Sequence, residues 1–170
     1  MKPSNRPGEW RENSHQIDTA IQRHLNKLLR IAVAITGSKA EAEDIVQDAF
    51  LRLYQHQPSL ESAAHETAWL IRVTVNLCKN RLRSHWWRTS VPLLDTHPAQ
   101  NENQQDVMEI VMSLPKKYRA AIHLYYYEGY STKEIADITA QSETAVRKQL
   151  SRARKMLKDM LEDGLLSVEN

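Results

Sequence analysis

Residues Trp69 to Arg88 read WLIRVTVNLCKNRLRSHWWR, and their side chains could do one kind of chemistry, the non-covalent capture of nucleic acid. On a helix turning about 100° per residue, Arg72, Asn76, Lys79 and Arg83 fall inside an arc of roughly 60°, with Asn80 beside it. Trp69, Leu70, Ile71, Val73, Val75, Leu77, Cys78 and Leu82 cover most of the remaining circumference, so the helix is expected to be buried nearly all round. A solvated face is the plain alternative for such a stripe. It would ordinarily mix signs, yet this one carries no Glu to pair with its cations and spends two positions on Asn, which weakens a helix. The stripe runs into Ser84, His85, Trp86, Trp87 and Arg88, two adjacent indoles followed by a cation. Indole faces on which unstacked bases lie, beside Lys and Arg that follow phosphates, are what a single strand requires.

Covalent chemistry has no comparable support. The His residues, among them His15, His24, His56, His65, His97 and His123, form neither an HExxH nor a Cys-His pattern and read as surface or core side chains. No glycine loop for phosphate and no nucleophile at a recognisable distance from a base is present. The chain is therefore expected not to be an enzyme, and no cofactor or metal is expected.

The elements that hold the stripe follow from the totals. The 170 residues suit one domain or two small ones. A net charge of +2 hides a segregation: Arg72 to Arg88 holds five Lys or Arg and no acid, Asp95 to Glu109 four acids and no Lys or Arg, and Arg147 to Lys158 six Lys or Arg and no acid. Two basic blocks about an acidic connector imply two contacts with a polyanion. The lone Cys78 excludes an internal disulfide, and without an apolar leader or a membrane-length run the expected location is cytoplasmic. Four Gly and no alternating strand pattern predict an all-α chain.

Residues 1–14 are expected to be a disordered tail, because two Pro, a Gly and many polar groups bury little. Ile17, Ile21, Leu25, Leu28, Leu29, Ala32 and Val33 then keep helical spacing as far as Thr36, where Gly37 stops it. Ser38 with Glu41 has capping-box spacing and opens a helix over Lys39 to Gln55. Its apolar side is Ile45, Val46, Ala49, Phe50, Leu53 and Tyr54. Asp44, Gln47, Asp48, Leu51 and Gln55 gather opposite within about 80°. Two readings of that face stay open: a solvated surface with one stray leucine, or a dock in which Leu51 supplies contact area and the two Asp meet a basic partner.

Pro58 ends this helix, and a polar stretch to Glu66 leads into the Trp69 helix, which completes a first domain over 15–90. The linker over 91–105 could span tens of Å when extended, so the domains on either side can bind separate sites. The second domain, 106–166, starts with a short amphipathic run to Met112. One helix follows over Lys116 to Tyr127, a break at Glu128-Gly129-Tyr130, and a short helix capped by Ser131 and Glu134. The last helix, from Glu143 to about Leu161, has Val146, Leu150, Ala153 and Leu157 on one side and Arg147, Ser151, Arg154, Lys155 and Lys158 on the other. Short helix, tight turn and long basic helix predict a helix-turn-helix (winged-helix-like) domain that reads a DNA major groove. A plain helical hairpin is the alternative.

Over nearly all of residues 15–165 the chain resembles the extracytoplasmic-function sigma factors of bacterial RNA polymerase, in the sigma-70 family. The carriers are AEDIVQDAFLRLY (Ala42 to Tyr54), WLIRVTVNLCKNRLR (Trp69 to Arg83), SLPKKYRAAIHLYYYEGYSTKEIA (Ser113 to Ala136) and LSRARKML (Leu150 to Leu157), in the family's order and spacing. The resemblance implies that the face with Asp44, Gln47, Asp48 and Leu51 docks on the clamp helices of the largest subunit of core RNA polymerase. It implies that Asn76 to Trp87 captures a flipped base of the minus-ten promoter element; the exposed stripe found on the wheel, Arg72, Asn76, Lys79, Asn80 and Arg83, followed by Trp86, Trp87 and Arg88, overlaps that segment. It further implies that Ser142, Glu143, Arg147, Lys148 and Ser151 read the minus-thirty-five element as duplex, with Arg152 and Arg154 near phosphates or structural. In similar proteins the linker threads toward the catalytic cleft, which Asp95, Glu102 and Asp106 suit, and an anti-sigma protein often covers the same faces.

The departures are specific. Ala140-Gln141 stand where relatives usually carry Gly and an apolar residue, Thr144-Ala145 replace a commoner Gly-Thr, and Trp86-Trp87 is not a general family feature. If the turn needs positive φ at Ala140, the cost is about 1 kcal/mol. Rival readings are a stand-alone helix-turn-helix regulator, which would bind DNA without polymerase, and an adaptor that sequesters polymerase without starting transcription.

Overall fold

The computed structural model describes residues 9–86 and 111–166, and every regular element among them is a helix. The N-terminal bundle consists of α1 (Glu9–Thr36), α2 (Lys39–His56) and α3 (Ala63–Trp86). Helix α1 starts at Glu9, so residues 9–14 of the expected tail are helical. Pro7 and Gly8 are the last helix breakers before Gly37, and Glu9 and Glu12 lie where a helix N-terminus favours acids. Gly37, at φ 79°, ends α1, and its N–H closes on the Val33 carbonyl at 2.8 Å. The Ser38 hydroxyl accepts from the Glu41 N–H at 3.3 Å and opens α2 as its spacing predicts. Helix α3 begins at Ala63, earlier than the apolar pattern, because Ser62 caps it by accepting from the His65 N–H at 3.2 Å.

Leu28, Ile31 and Ile35 of α1, Ile45 and Val46 of α2, and Leu70, Ile71, Val75 and Cys78 of α3 fill the bundle with almost no exposed surface. Burial pushes the Cys78 thiol up to about 12, so it is an inert apolar filler. Of the apolar arc of α3, Leu70, Ile71, Val75 and Cys78 are core, whereas Trp69, Val73, Leu77 and Leu82 are only partly buried, so the helix is less enclosed than its wheel predicts.

In the C-terminal domain, residues 111–113 are helical and precede α4 (Lys116–Ile122), a π-helical turn (His123–Tyr127), α5 (Thr132–Thr139) and α6 (Glu143–Leu166). Arg119 donates to the carbonyls of Met112 and Leu114, each at 2.8 Å, and so satisfies backbone acceptors that the short helical piece leaves open. Ser131 and Glu134 form a complete capping box on α5. Val146, Leu150 and Ala153 of α6 pack on Ile135, Ala136 and Ile138 of α5 and on Leu124 in one buried cluster. No strand occurs among the described residues, so this helix-turn-helix has no wing there.

The turn between α5 and α6 settles the conditional on Ala140. Its backbone lies at φ 52°, ψ 48°, the left-handed region, and its N–H caps α5 on the Ala136 carbonyl. Gln141, in place of the apolar residue, accepts a hydrogen bond from the Gln149 side chain of α6 at 2.9 Å. Ala140→Gly removes the left-handed penalty but adds unfolded-chain entropy, for a net gain of about 0.5–1 kcal/mol. Thermal unfolding should show Tm raised by about 2 °C; an unchanged or lowered Tm would mean that this turn stores no strain.

Separate domains were expected on either side of the linker. The linker, 91–105, lies outside the described residues, and the domains pack together: α4 and the π turn sit on α1, and α5 sits on α3. Their buried side chains form one continuous apolar cluster. A long linker permits separation without enforcing it.

Candidate nucleic-acid and polymerase interfaces

Each face predicted from a helical wheel is built by burial of the opposite face. On α2, the burial of Ile45, Val46, Ala49, Phe50 and Leu53 leaves Asp44, Gln47, Asp48 and Leu51 in solvent. Leu51 is 49 % exposed and lies on the same arc as Asp44 and Asp48, so the acidic face carries an apolar side chain in solvent. The C-terminal domain rests on α1 and α3, so it leaves this face open.

On α3, Arg72, Asn76, Asn80 and Arg83 are exposed on the side away from Leu70, Ile71, Val75 and Cys78. Arg83 donates to the Asn80 amide oxygen at 2.7 Å, which orders two members of the stripe against each other. Lys79 differs. It is half-buried and its ammonium donates to the Thr139 carbonyl at the end of α5, while burial pushes its pKa down. Trp86 closes α3, and its side chain, Trp87 and Arg88 lie outside the described residues.

The recognition-helix residues separate into two groups. Arg147, Lys148, Ser151 and Arg154 are exposed along α6. Ser142 and Glu143 have structural partners of their own: the Ser142 hydroxyl accepts from the Ala145 N–H at 3.2 Å, and Glu143 Oε1 accepts from Thr132 Oγ1 at 2.7 Å and from Arg147 Nη2 at 2.6 Å. The Thr132 hydroxyl and then Arg147 hold the Glu143 carboxyl below the usual carboxylate range. Glu143 thus aims Arg147 and ties α6 to the start of α5. Wheel geometry could not reveal this, since Thr132 and Glu143 lie on different helices.

Two further pairings were not visible in the sequence. His24 Nε2 lies 2.8 Å from Glu66 Oε1, joining α1 to the first turn of α3. Glu128, read in the sequence as part of a helix break, has a side chain only 5 % exposed among Lys27, Arg30 and His123. Among the described residues no group of His, Cys, Asp and Glu could hold a metal ion.

Residues 20–88 match the family model for sigma-70 region 2, and residues 104–157 that for sigma-70 region 4. An ECF RNA polymerase sigma factor of Mycobacterium tuberculosis, SigM, is 32 % identical over 152 residues, covering 86 % of this chain and 78 % of that protein. The chain belongs to the extracytoplasmic-function sigma factors of bacterial RNA polymerase.

Sigma factors are transcription-initiation factors, and the two matched regions coincide with the two halves of the fold. Region 2 holds the α2 face and the α3 stripe; region 4 holds α4, α5 and α6 as far as Leu157. The SigM of Bacillus subtilis is 30 % identical, covering 88 % of this sigma factor and 97 % of that protein. A probable RNA polymerase sigma factor of Xanthomonas campestris, RfaY, is 36 % identical over 161 residues; this chain spans only 40 % of its length. In fold, the sigma factor is similar to RpoE of Bartonella quintana, solved with the anti-sigma factor NepR, at a TM-score of 0.72 and 24 % identity over 86 % of this chain and 97 % of that one. CnrH, solved with the cytosolic domain of CnrY, superposes at 0.62 and 22 % identity over 88 % of this chain and 90 % of that one. No helix among the described residues is long and apolar enough to cross a membrane.

Proposed function

We propose that this sigma factor docks on the clamp helices of core RNA polymerase through Asp44, Gln47, Asp48 and Leu51, holds an unstacked base of the minus-ten element along α3, and reads the minus-thirty-five duplex with α6. The observation that carries the division of labour is the exposure of three chemically different faces on one fold. One is acidic with a bare leucine, one is basic with amides, and one is a basic helix following a tight turn.

The physical steps are non-covalent. Lys and Arg on α3 and α6 draw in phosphates with a salt-dependent affinity. Arg147, aimed by Glu143, supplies a major-groove base-edge contact worth about 1–3 kcal/mol of discrimination, and Lys148 a phosphate contact beside it. The stripe offsets a few kcal/mol of unstacking by binding the displaced base, and Trp86 and Trp87 are the proposed stacking surfaces. Two modules on one chain multiply modest affinities when element spacing fits the linker. The polymerase provides all covalent catalysis. An anti-sigma protein is a proposed partner, since the RpoE and CnrH structures hold NepR and CnrY against the same fold.

Run-off transcription with purified core RNA polymerase on a promoter pool is the direct test. Selective transcripts are expected only when both proteins are present. A stand-alone regulator would instead shift its DNA without core, and a sequestering adaptor would bind core and give no transcript.

A further inference from the structure

The contact between the two domains is built around a buried carboxylate. Glu128 follows the π-helical turn, in which the Glu128 N–H reaches the His123 carbonyl at 3.1 Å and the Tyr130 N–H the Leu124 carbonyl at 2.9 Å. The wider turn delivers Glu128 and His123 together to the surface of α1. Glu128 Oε2 lies 3.4 Å from Lys27 Nζ, and Oε1 lies 3.9 Å from Arg30 Nη2 and 3.5 Å from His123 Nε2. The Tyr127 ring stacks on His123 and lies beneath the Arg30 guanidinium, 5.8 Å from its centroid.

These charges are paired but incompletely hydrogen-bonded. Glu128 Oε1, His123 Nε2 and Arg30 Nε are buried without a hydrogen-bond partner. Burial raises the Glu128 carboxyl, and the adjacent His123 and Lys27 outweigh it, so the group stays ionised at neutral pH. A buried ion pair of this quality adds little net stability over an apolar contact, although removing one partner strands the other. Such a centre suits an interface made to come apart.

A second contact joins the same two domains at a functional residue. Lys79, on the stripe of α3, has its ammonium on the Thr139 carbonyl, where the end of α5 leaves unsatisfied acceptors and partial negative charge. A DNA phosphate would compete for that ammonium. Gly37 marks a third close approach: a Cβ there would lie 3.1 Å from Arg119 Nη1 and from Met112 Cε.

We propose that Glu128, clasped by Lys27 and Arg30 of α1, is an ionic latch that seats the helix-turn-helix domain on the N-terminal bundle and thereby withholds Lys79 from the DNA strand. The latch rests on the interdomain geometry; its consequence for DNA rests on the reading of the α3 stripe given above. In the closed form the two DNA-reading domains sit against each other, and the apparent contribution of Lys79 to single-strand affinity is scaled down to the fraction of molecules that are open.

The test uses the full chain with donor and acceptor dyes on Ser59→Cys and Asp159→Cys, both exposed positions, one in each domain; Cys78 is buried with a high thiol pKa and stays unlabelled. Glu128→Gln keeps the shape and removes the charge. The double variant Lys27→Met with Arg30→Met opens the latch from the other side. Both are expected to lower energy transfer relative to the unaltered chain while far-UV helicity is kept, and to tighten binding of a labelled oligothymidylate by about 5-fold or more. Unchanged transfer in both variants would overturn the latch. Reduced transfer with unchanged oligothymidylate binding would overturn the masking of Lys79 while leaving the docking proposals intact. Loss of helicity in both would make the cluster a folding element, and the latch would again be wrong.

Discussion

Asp44→Lys combined with Asp48→Lys is expected to lower the affinity of the chain for core RNA polymerase by about 100-fold or more, because a like charge against a basic partner costs several kcal/mol. Both carboxylates are exposed on α2, and no ion pair within the described residues holds either of them. The fold therefore has no use for the charge that the substitution removes. Far-UV helicity and Tm should stay close to those of the unaltered chain, since surface changes of this kind shift stability by about 0.5 kcal/mol at most. Leu51→Ala, which trims the apolar side chain on the same face as the two acids, should weaken the same interaction without affecting its salt dependence. Fluorescence anisotropy against purified core reads both changes. Unchanged affinity in the double Lys variant would remove α2 from the docking surface.

Arg147→Ala with Lys148→Ala is the second large effect. Loss of one base-edge contact and one phosphate contact should weaken binding to duplex minus-thirty-five DNA by about 10- to 100-fold and lower the salt slope by about 1. Initiation from a template already melted across the minus-ten element should be spared, because the proposed division of labour gives that step to α3 rather than α6. Both side chains are exposed, and Arg147 contacts only Glu143 of its own helix, so the structural cost is small. Binding is measured on duplex and initiation on pre-melted template. Equal loss on the two would contradict the assignment of paired DNA to α6.

Glu143 qualifies how such results are interpreted. Its carboxylate is committed to Thr132 and Arg147, so its replacement acts through the aim of Arg147 rather than through a base contact of its own. Ser142 is similarly engaged in capping α6. Both were assigned to DNA by resemblance alone.

What the sequence by itself determined is the set of helices, their caps and their opposed faces. These depend on neighbours within a few residues: Ser38 and Ser131 find their N–H partners three positions on, and the 3.6-residue period alone puts Asp44, Asp48 and Leu51 opposite Ile45, Val46 and Ala49. The positive φ at Ala140 stayed conditional in the sequence, and the structure supplied it. Tertiary structure alone decided which faces meet. Nothing near Glu128 in the chain announces that Lys27 and Arg30, a hundred residues away, surround it, and the π turn that delivers it keeps the composition of an ordinary helix end. Lys79 shares its arc with Arg72 and Asn76, yet the end of α5 lies over that position and not theirs. Desolvation of a charge is imposed by whatever packs against it, and that element is encoded elsewhere in the chain.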